Sequence, residues 1–219
     1  SPDELCARLA AMAQCMRLRG PDAQAWWTAP DSRVGLAHAR LAIRDLSPAG
    51  AQPLASRDAR WVIAYNGEIY NAVEVADALR AEGHPGFRGH SDTEVLADAI
   101  AAWGVDRAVQ RCAGMFAFAA VDLHERRLVV VRDRIGIKPA MWAWAGADLV
   151  VGSDTRLLRG LPDAPRTVRA AALDRYLRLG RVEGDEGLLE GVHKVPPGGI
   201  AEWRLEGLRA GDAPQVRSY

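Results

Sequence analysis

Lysine is nearly absent from this 219-residue chain: Lys138 and Lys194 are the only two among 28 basic residues. The 26 arginines are scattered, not blocked, and 28 acidic residues bring the formal net charge to zero. No basic field exists to hold a polyanion, so nucleic acid is not an expected partner. Cysteine is scarce too. Cys6, Cys15 and Cys112 form no CxxC pair and are odd in number, which argues against a disulfide framework and for reduced thiols in a cytoplasmic protein. Long apolar runs are missing. The longest, Cys112 to Val121, stops at Asp122, far short of a membrane span, and Asp3 and Glu4 stand where a signal peptide would carry positive charge. GxSxG, GxxxxGK[ST], HExxH and GxGxxG are all lacking, and none of the five histidines is spaced as a metal pair. No metal centre is expected. What remains is an ordinary globular composition, 49% hydrophobic and 26% charged, long enough for one large domain.

Ser1-Pro2-Asp3-Glu4 reads as a capping box opening a helix, with Leu5, Leu9, Met12 and Met16 as its apolar stripe and Gly20 beyond its end. Residues 33–43 and 60–65 read as strands. Asn71 with Glu74, and Ser91 with Glu94, predict two further helices closing near Gly83 and Gly104. The runs 115–121 and 128–131, and 141–144 and 149–151, predict two hairpins. A helix over 170–179 precedes a last strand pair near 192–195 and 200–205. Residues 206–219, rich in glycine and charge, read as a tail or linker, leaving 1–205 as the domain. Paired strands and grouped helices favour an α+β fold.

Several polar residues stand where structure alone does not require them. Arg40 lies in the apolar strand Leu36-Ala37-His38-Ala39-Arg40-Leu41-Ala42-Ile43, where it faces either solvent or a ligand. Asn66-Gly67-Glu68 follows an apolar strand but leads to a helix cap, which weakens a hairpin turn. Gly67 would let a backbone N–H approach a ligand, with the Asn66 amide beside it, the components of an oxyanion hole. Asp92 follows the N-cap Ser91, where a carboxylate also complements the helix dipole. For His38, and for His84, His90 and His124 on loops read as solvated, a structural role is the expectation. One arginine, two acids and an Asn-Gly donor pair suit a free amino acid, its carboxylate on arginine and its ammonium on an acid.

These residues lie in stretches that resemble a known family. Leu18-Arg19-Gly20-Pro21-Asp22, the strand around Arg40, Gln52-Pro53-Leu54 and Tyr65-Asn66-Gly67-Glu68-Ile69-Tyr70-Asn71 come first. Gly89-His90-Ser91-Asp92-Thr93-Glu94-Val95, Gly114-Met115-Phe116-Ala117-Phe118-Ala119, Arg132-Asp133-Arg134-Ile135-Gly136-Ile137-Lys138-Pro139 and Val195-Pro196-Pro197-Gly198 follow in register. Together they resemble the N-terminal glutaminase domain of the asparagine synthetase B family, the class II glutamine amidotransferases of the N-terminal-nucleophile hydrolases. The resemblance implies a four-layer αββα sandwich in which Arg40 binds the glutamine α-carboxylate and Asp92 its α-ammonium. Glu68 would help orient the substrate, and Asn66 and the Gly67 N–H would hold the oxyanion. Arg19-Gly20-Pro21-Asp22 and Arg132-Asp133 would be scaffold. Glutamine and a C-terminal synthetase domain would be partners, with a homodimer as a further option. ATP and magnesium would serve that synthetase domain, not this one.

The departures carry their own expectations. In the family the nucleophile is an N-terminal Cys whose α-amine acts as base, at the head of a strand that Ser1 would follow. Cys6, inside the first helix and without a free α-amine, does not replace it, and Leu18 stands where the family has His. Two readings follow: a glutaminase domain whose Cys-headed first strand is not among these residues, or a cysteine-less pseudo-glutaminase serving as a docking module for a ligase. A third, an unrelated small-molecule binder, is weaker.

Overall fold

The computed structural model describes residues 1–31, 33–43, 45–182 and 184–219. Helix α1 (Pro2–Cys15) starts as its sequence dictates, Ser1 Oγ accepting the Glu4 N–H at 3.3 Å. A hairpin of β1 (Ala23–Thr28) and β2 (Gly35–Arg40) follows, then β3 (Leu54–Ala55) and β4 (Trp61–Ile69). Helices α2 (Ala72–Ala81), α3 (Asp92–Trp103) and α4 (Val105–Arg111) lead into β5 (Gly114–Asp122), β6 (Arg127–Arg132), β7 (Met141–Ala145) and β8 (Asp148–Gly152). A 3-10 turn (Thr155–Gly160), α5 (Ala170–Leu179), β9 (Val192–Lys194), β10 (Gly199–Arg204) and β11 (Gln215–Ser218) complete the described elements.

Six strands form an antiparallel sheet in the order β11-β10-β6-β5-β4-β3. The period-2 alternation of β4, β5 and β6 gives this sheet two apolar faces. Trp61, Ile63, Tyr65 and Ile69, with Phe116, Phe118, Val129 and Val131, pack into one core with α2, α3 and α4. Val62, Ala117, Val121, Leu128 and Val130 face the other way, against Leu36 of β2 and Trp142 of β7. That second strand layer is in two pieces, β1-β2 and β8-β7-β9. Behind the three-stranded piece, Met12 and Met16 pack with Leu157, Leu158 and Leu161. Helix, sheet, sheet and helix are thus stacked in the expected four-layer αββα order.

Four local expectations change. Residues 192–195 and 200–205 do not pair with each other: β9 joins β7, whereas β10 joins β6 in the other sheet, the chain crossing between layers at Pro196-Pro197. The stretch read as a tail, 206–219, ends in β11, an edge strand on β10. Asn71 does not cap α2 with its side chain. Its amide instead bridges to Arg111 O and the Ala113 N–H, joining α2 to the end of α4. His84 is half-buried, stacked on Phe87 and 2.9 Å from Asp98 Oδ2.

A chain of ion pairs holds β11 in place. Fully buried Asp122 takes Arg60 and Arg127, Arg127 reaches Glu202, and Arg217 of β11 bridges Glu202 and Asp106. Burial pushes the Asp122 carboxyl up, but hydrogen bonds from Arg60, Arg127 and a backbone N–H outweigh it and hold it below the carboxylate range. The Arg217 guanidinium lowers Asp106. Carboxyls lowered in the folded state stabilise it above their unfolded pKa of about 4 and lose that contribution as pH falls through the folded value. Thermal melts are expected to show no loss from these groups between pH 7 and about 5, then a falling midpoint below about pH 4. A midpoint unchanged down to pH 3 would contradict this.

Candidate functional site

Between the two pieces of the second layer lies a cleft of about 830 Å³, lined by both β2 and β8. Among the described residues each of these strands is paired on one side alone, β2 with β1 and β8 with β7. The lining divides by chemistry. Leu9, Ala117, Val130, Leu149 and Leu157 are apolar, whereas Arg40, Asn66, Gly67, Glu68 and Asp92 are polar. The structure therefore brings all five sequence-predicted residues to one cleft, from β2, β4 and the start of α3.

Arg40 ends β2, and its guanidinium donates to the carbonyls of Asp45 and Ser47, the latter at 3.2 Å. It fits against Gly50, where a Cβ would come within 2.5 Å of its Nη2. The preceding Arg19-Gly20-Pro21-Asp22 segment brackets it. The Asp22 N–H donates to Arg40 O, and Asp22 Oδ2 accepts the Ala42 N–H. Gly20 presses on the β2 backbone, a Cβ there falling 2.1 Å from Ala39 O. Asp45 closes the same loop onto His90: hydrogen bonds from Ser47 and the His90 N–H push its carboxyl down to about 2.

Asp92 is more than a helix-dipole residue. It is buried, and its Oδ2 accepts from the Tyr65 hydroxyl at 2.8 Å and the Ile69 N–H at 2.9 Å, tying α3 to β4. The capping box also differs: Ser91 Oγ accepts the Thr93 N–H, while Glu94 turns to the N–H groups of Arg88 and Gly89 and to the Arg88 guanidinium.

Alternation along β4 sets the direction of each group. Its even residues face the second strand layer, so Asn66 and Glu68 project toward the cleft and Tyr65 away from it. Backbone groups alternate between the two edges. The Tyr65 and Ile69 N–H groups point to the outer edge, bonded by Gln52 Oε1 and Asp92 Oδ2. Gly67 lies between them in the same phase. Its cross-strand neighbour Phe116 spends both backbone groups on Asp133, so the Gly67 N–H belongs to the outer edge, over the cleft. No turn needs this glycine. A Cβ at residue 67 would meet Met115 O at 2.3 Å, so close approach of β5 requires it.

Two residues not singled out as functional in the sequence hold this edge. Gln52 accepts the Tyr65 N–H at 2.7 Å and donates to Thr93 Oγ1. His38, two residues before Arg40, has its Nε2 3.2 Å from Tyr65 O. Burial, with the nearby Arg40 charge adding to it, pushes the His38 pKa down to about 4, so the ring is neutral near pH 7. Its place in an alternating strand beside Arg40 was the available signal.

None of the three cysteines lines the cleft. Cys112 is buried, which pushes its thiol up to about 12, and Cys6 and Cys15 are on α1.

A family described as "Glutamine amidotransferase domain" matches residues 1–213. The chain is 33% identical over 201 residues to "Asparagine synthetase [glutamine-hydrolyzing] 3" of Bacillus subtilis, covering 90% of this chain and 32% of that protein. It is 32% identical over 226 residues to a putative asparagine synthetase (glutamine-hydrolysing) of Mycobacterium bovis, covering 99% and 34%. The chain therefore spans about a third of the length of these curated relatives. Among solved structures, the allosteric regulatory enzyme of purine biosynthesis matches with a TM-score of 0.58 at 20% identity, over 84% of this chain and 34% of that one. A glutamine phosphoribosylpyrophosphate amidotransferase from B. subtilis matches with a TM-score of 0.56 at 21% identity, over the same shares. These two show likeness of fold.

Proposed function

This chain belongs to the glutamine amidotransferase domain family, and from that premise we propose that residues 1–219 form the glutamine site of an asparagine-synthetase-like enzyme. The observation that carries the reading is the convergence of Arg40, Asn66, Gly67, Glu68 and Asp92 on one cleft. Arg40 would take the α-carboxylate, Asp92 the α-ammonium, and Glu68 would orient the chain of the substrate. Attack of a thiolate on the side-chain amide carbon would place negative charge on its oxygen, where the Asn66 amide and the Gly67 N–H donate. Ammonia leaves, and water hydrolyses the thioester to glutamate. The nucleophile would be a Cys supplied from outside residues 1–219, its α-amine acting as base, on a strand added between β2 and β8. Ammonia would pass to a synthetase region that activates a carboxylate, such as that of aspartate, with ATP and magnesium. The setting would be cytoplasmic.

Calorimetric titration of residues 1–219 with L-glutamine tests the site. Binding is expected, and Arg40→Ala is expected to weaken it roughly 100-fold, the worth of about 3 kcal/mol for a two-pronged carboxylate contact. Glutamine that does not bind, or binds Arg40→Ala equally well, sinks the assignment.

A further inference from the structure

The outer edge of β4 outruns its neighbour. β3 pairs with residues 62 and 63 alone, so from Tyr65 onward the edge has no strand beside it among the described residues. Two side chains take the strand's place at Tyr65, the Gln52 amide on its N–H and the His38 imidazole on its carbonyl. The next outward-facing backbone N–H is that of Gly67. We propose that His38 is a positioning residue: its bond to the Tyr65 carbonyl sets the distance between Arg40, on its own strand, and the Asn66–Gly67 donors on β4.

The geometry supports this over a merely filled core position. His38 and Arg40 are two residues apart on β2 and share a face, so a bond from His38 fixes β2 against β4 next to the arginine. The two strands belong to different sheets, and among the described residues no backbone ladder sets their spacing. A carbonyl accepts only, so Nε2 carries the proton and donates. His38 Nδ1 is then a bare lone pair, buried with no partner among the described residues. A second proton there would bury a donor with nothing to receive it, which costs more than an unpaired acceptor beside Arg40's charge. The ring is held as one neutral tautomer, a donor of constant direction. What the spacing serves rests on the glutamine reading; the bond itself does not.

Nitrogen-15 spectra of residues 1–219 test both separately. In ligand-free protein His38 is expected as the neutral Nε2–H tautomer from pH 5.5 to 8. His38→Leu is expected to move the Gly67 and Asn66 amide resonances, and His38→Gln, whose amide reaches the same carbonyl, to restore them. On titration, His38→Leu is expected to bind L-glutamine about tenfold more weakly, the loss of one hydrogen bond, while binding L-norvaline, which lacks the carboxamide, as wild type does. An Nδ1–H ring overturns the proposal. So do unmoved amides with unchanged glutamine affinity, or an equal loss for both ligands that His38→Gln does not rescue. A wild-type protein that binds neither ligand refutes the glutamine reading alone, because the clamp is read on resonances recorded without ligand.

Discussion

A polypeptide of residues 1–219 is expected to release no ammonia from L-glutamine above the uncatalysed rate, even with the amino acid bound. Transition-state donors without a nucleophile do not cleave the amide at a useful rate, and this chain offers no thiol at the cleft. Cys112 is buried with its pKa raised to about 12, and Cys6 is carried by α1. The same residues preceded by a strand whose first residue is Cys with a free α-amine are expected to gain at least about 10³-fold in ammonia release. In that active form, Asn66→Ala is expected to lower kcat by roughly 10²–10³, the usual cost of one oxyanion donor, with a smaller change in KM. A coupled glutamate dehydrogenase assay measures both. Ammonia from residues 1–219 that disappears in Cys6→Ala would overturn the argument.

Asp133→Ala is expected to cost the fold most among single substitutions away from the cleft. Asp133 is fully buried, and its carboxylate accepts four backbone N–H groups: Ile137 at 2.9 Å, Lys138 at 2.8 Å, and Phe116 and Ile135 at 3.3 Å each. Alanine leaves four buried donors without acceptors, at about 1–3 kcal/mol each before relaxation. Even the low end, about 4 kcal/mol, lowers the melting midpoint of a domain this size by roughly 8–16 °C. Asp133→Asn keeps one acceptor oxygen and is expected to fall between. A loss under about 3 °C for the alanine variant would show that the loop after β6 finds other acceptors.

Elements marked by period or caps were legible in the sequence: α1 from Ser1 and its Met stripe, the hairpins β5–β6 and β7–β8, and α5. Elements whose pairing depends on distant partners were not. The run Ala-Gln-Ala-Trp-Trp-Thr of β1 has no alternation and becomes a strand because β2 lies beside it. β11 looks like tail until Arg217 meets Glu202 and Asp106, and α4 is separated from α3 by Gly104 at φ 78°. At the cleft, Arg40 and Asp92 stood out as charges in apolar or capping surroundings. Gln52 and His38 did not, because their effect is to hold Tyr65, a residue 13 and 27 positions away.

The crowding of Gly67 against β5 bears on how such domains drift over evolutionary time. A lineage that lost the reaction would still be barred from placing any side chain at residue 67, where a Cβ falls 2.3 Å from Met115 O. It would also be slow to abandon Asp92, which anchors Tyr65 and Ile69. Both positions are inherited with the architecture and are poor witnesses to chemistry. Asn66, whose side chain projects into the cleft, is a position under less such constraint, and it is where a retired relative would show its age.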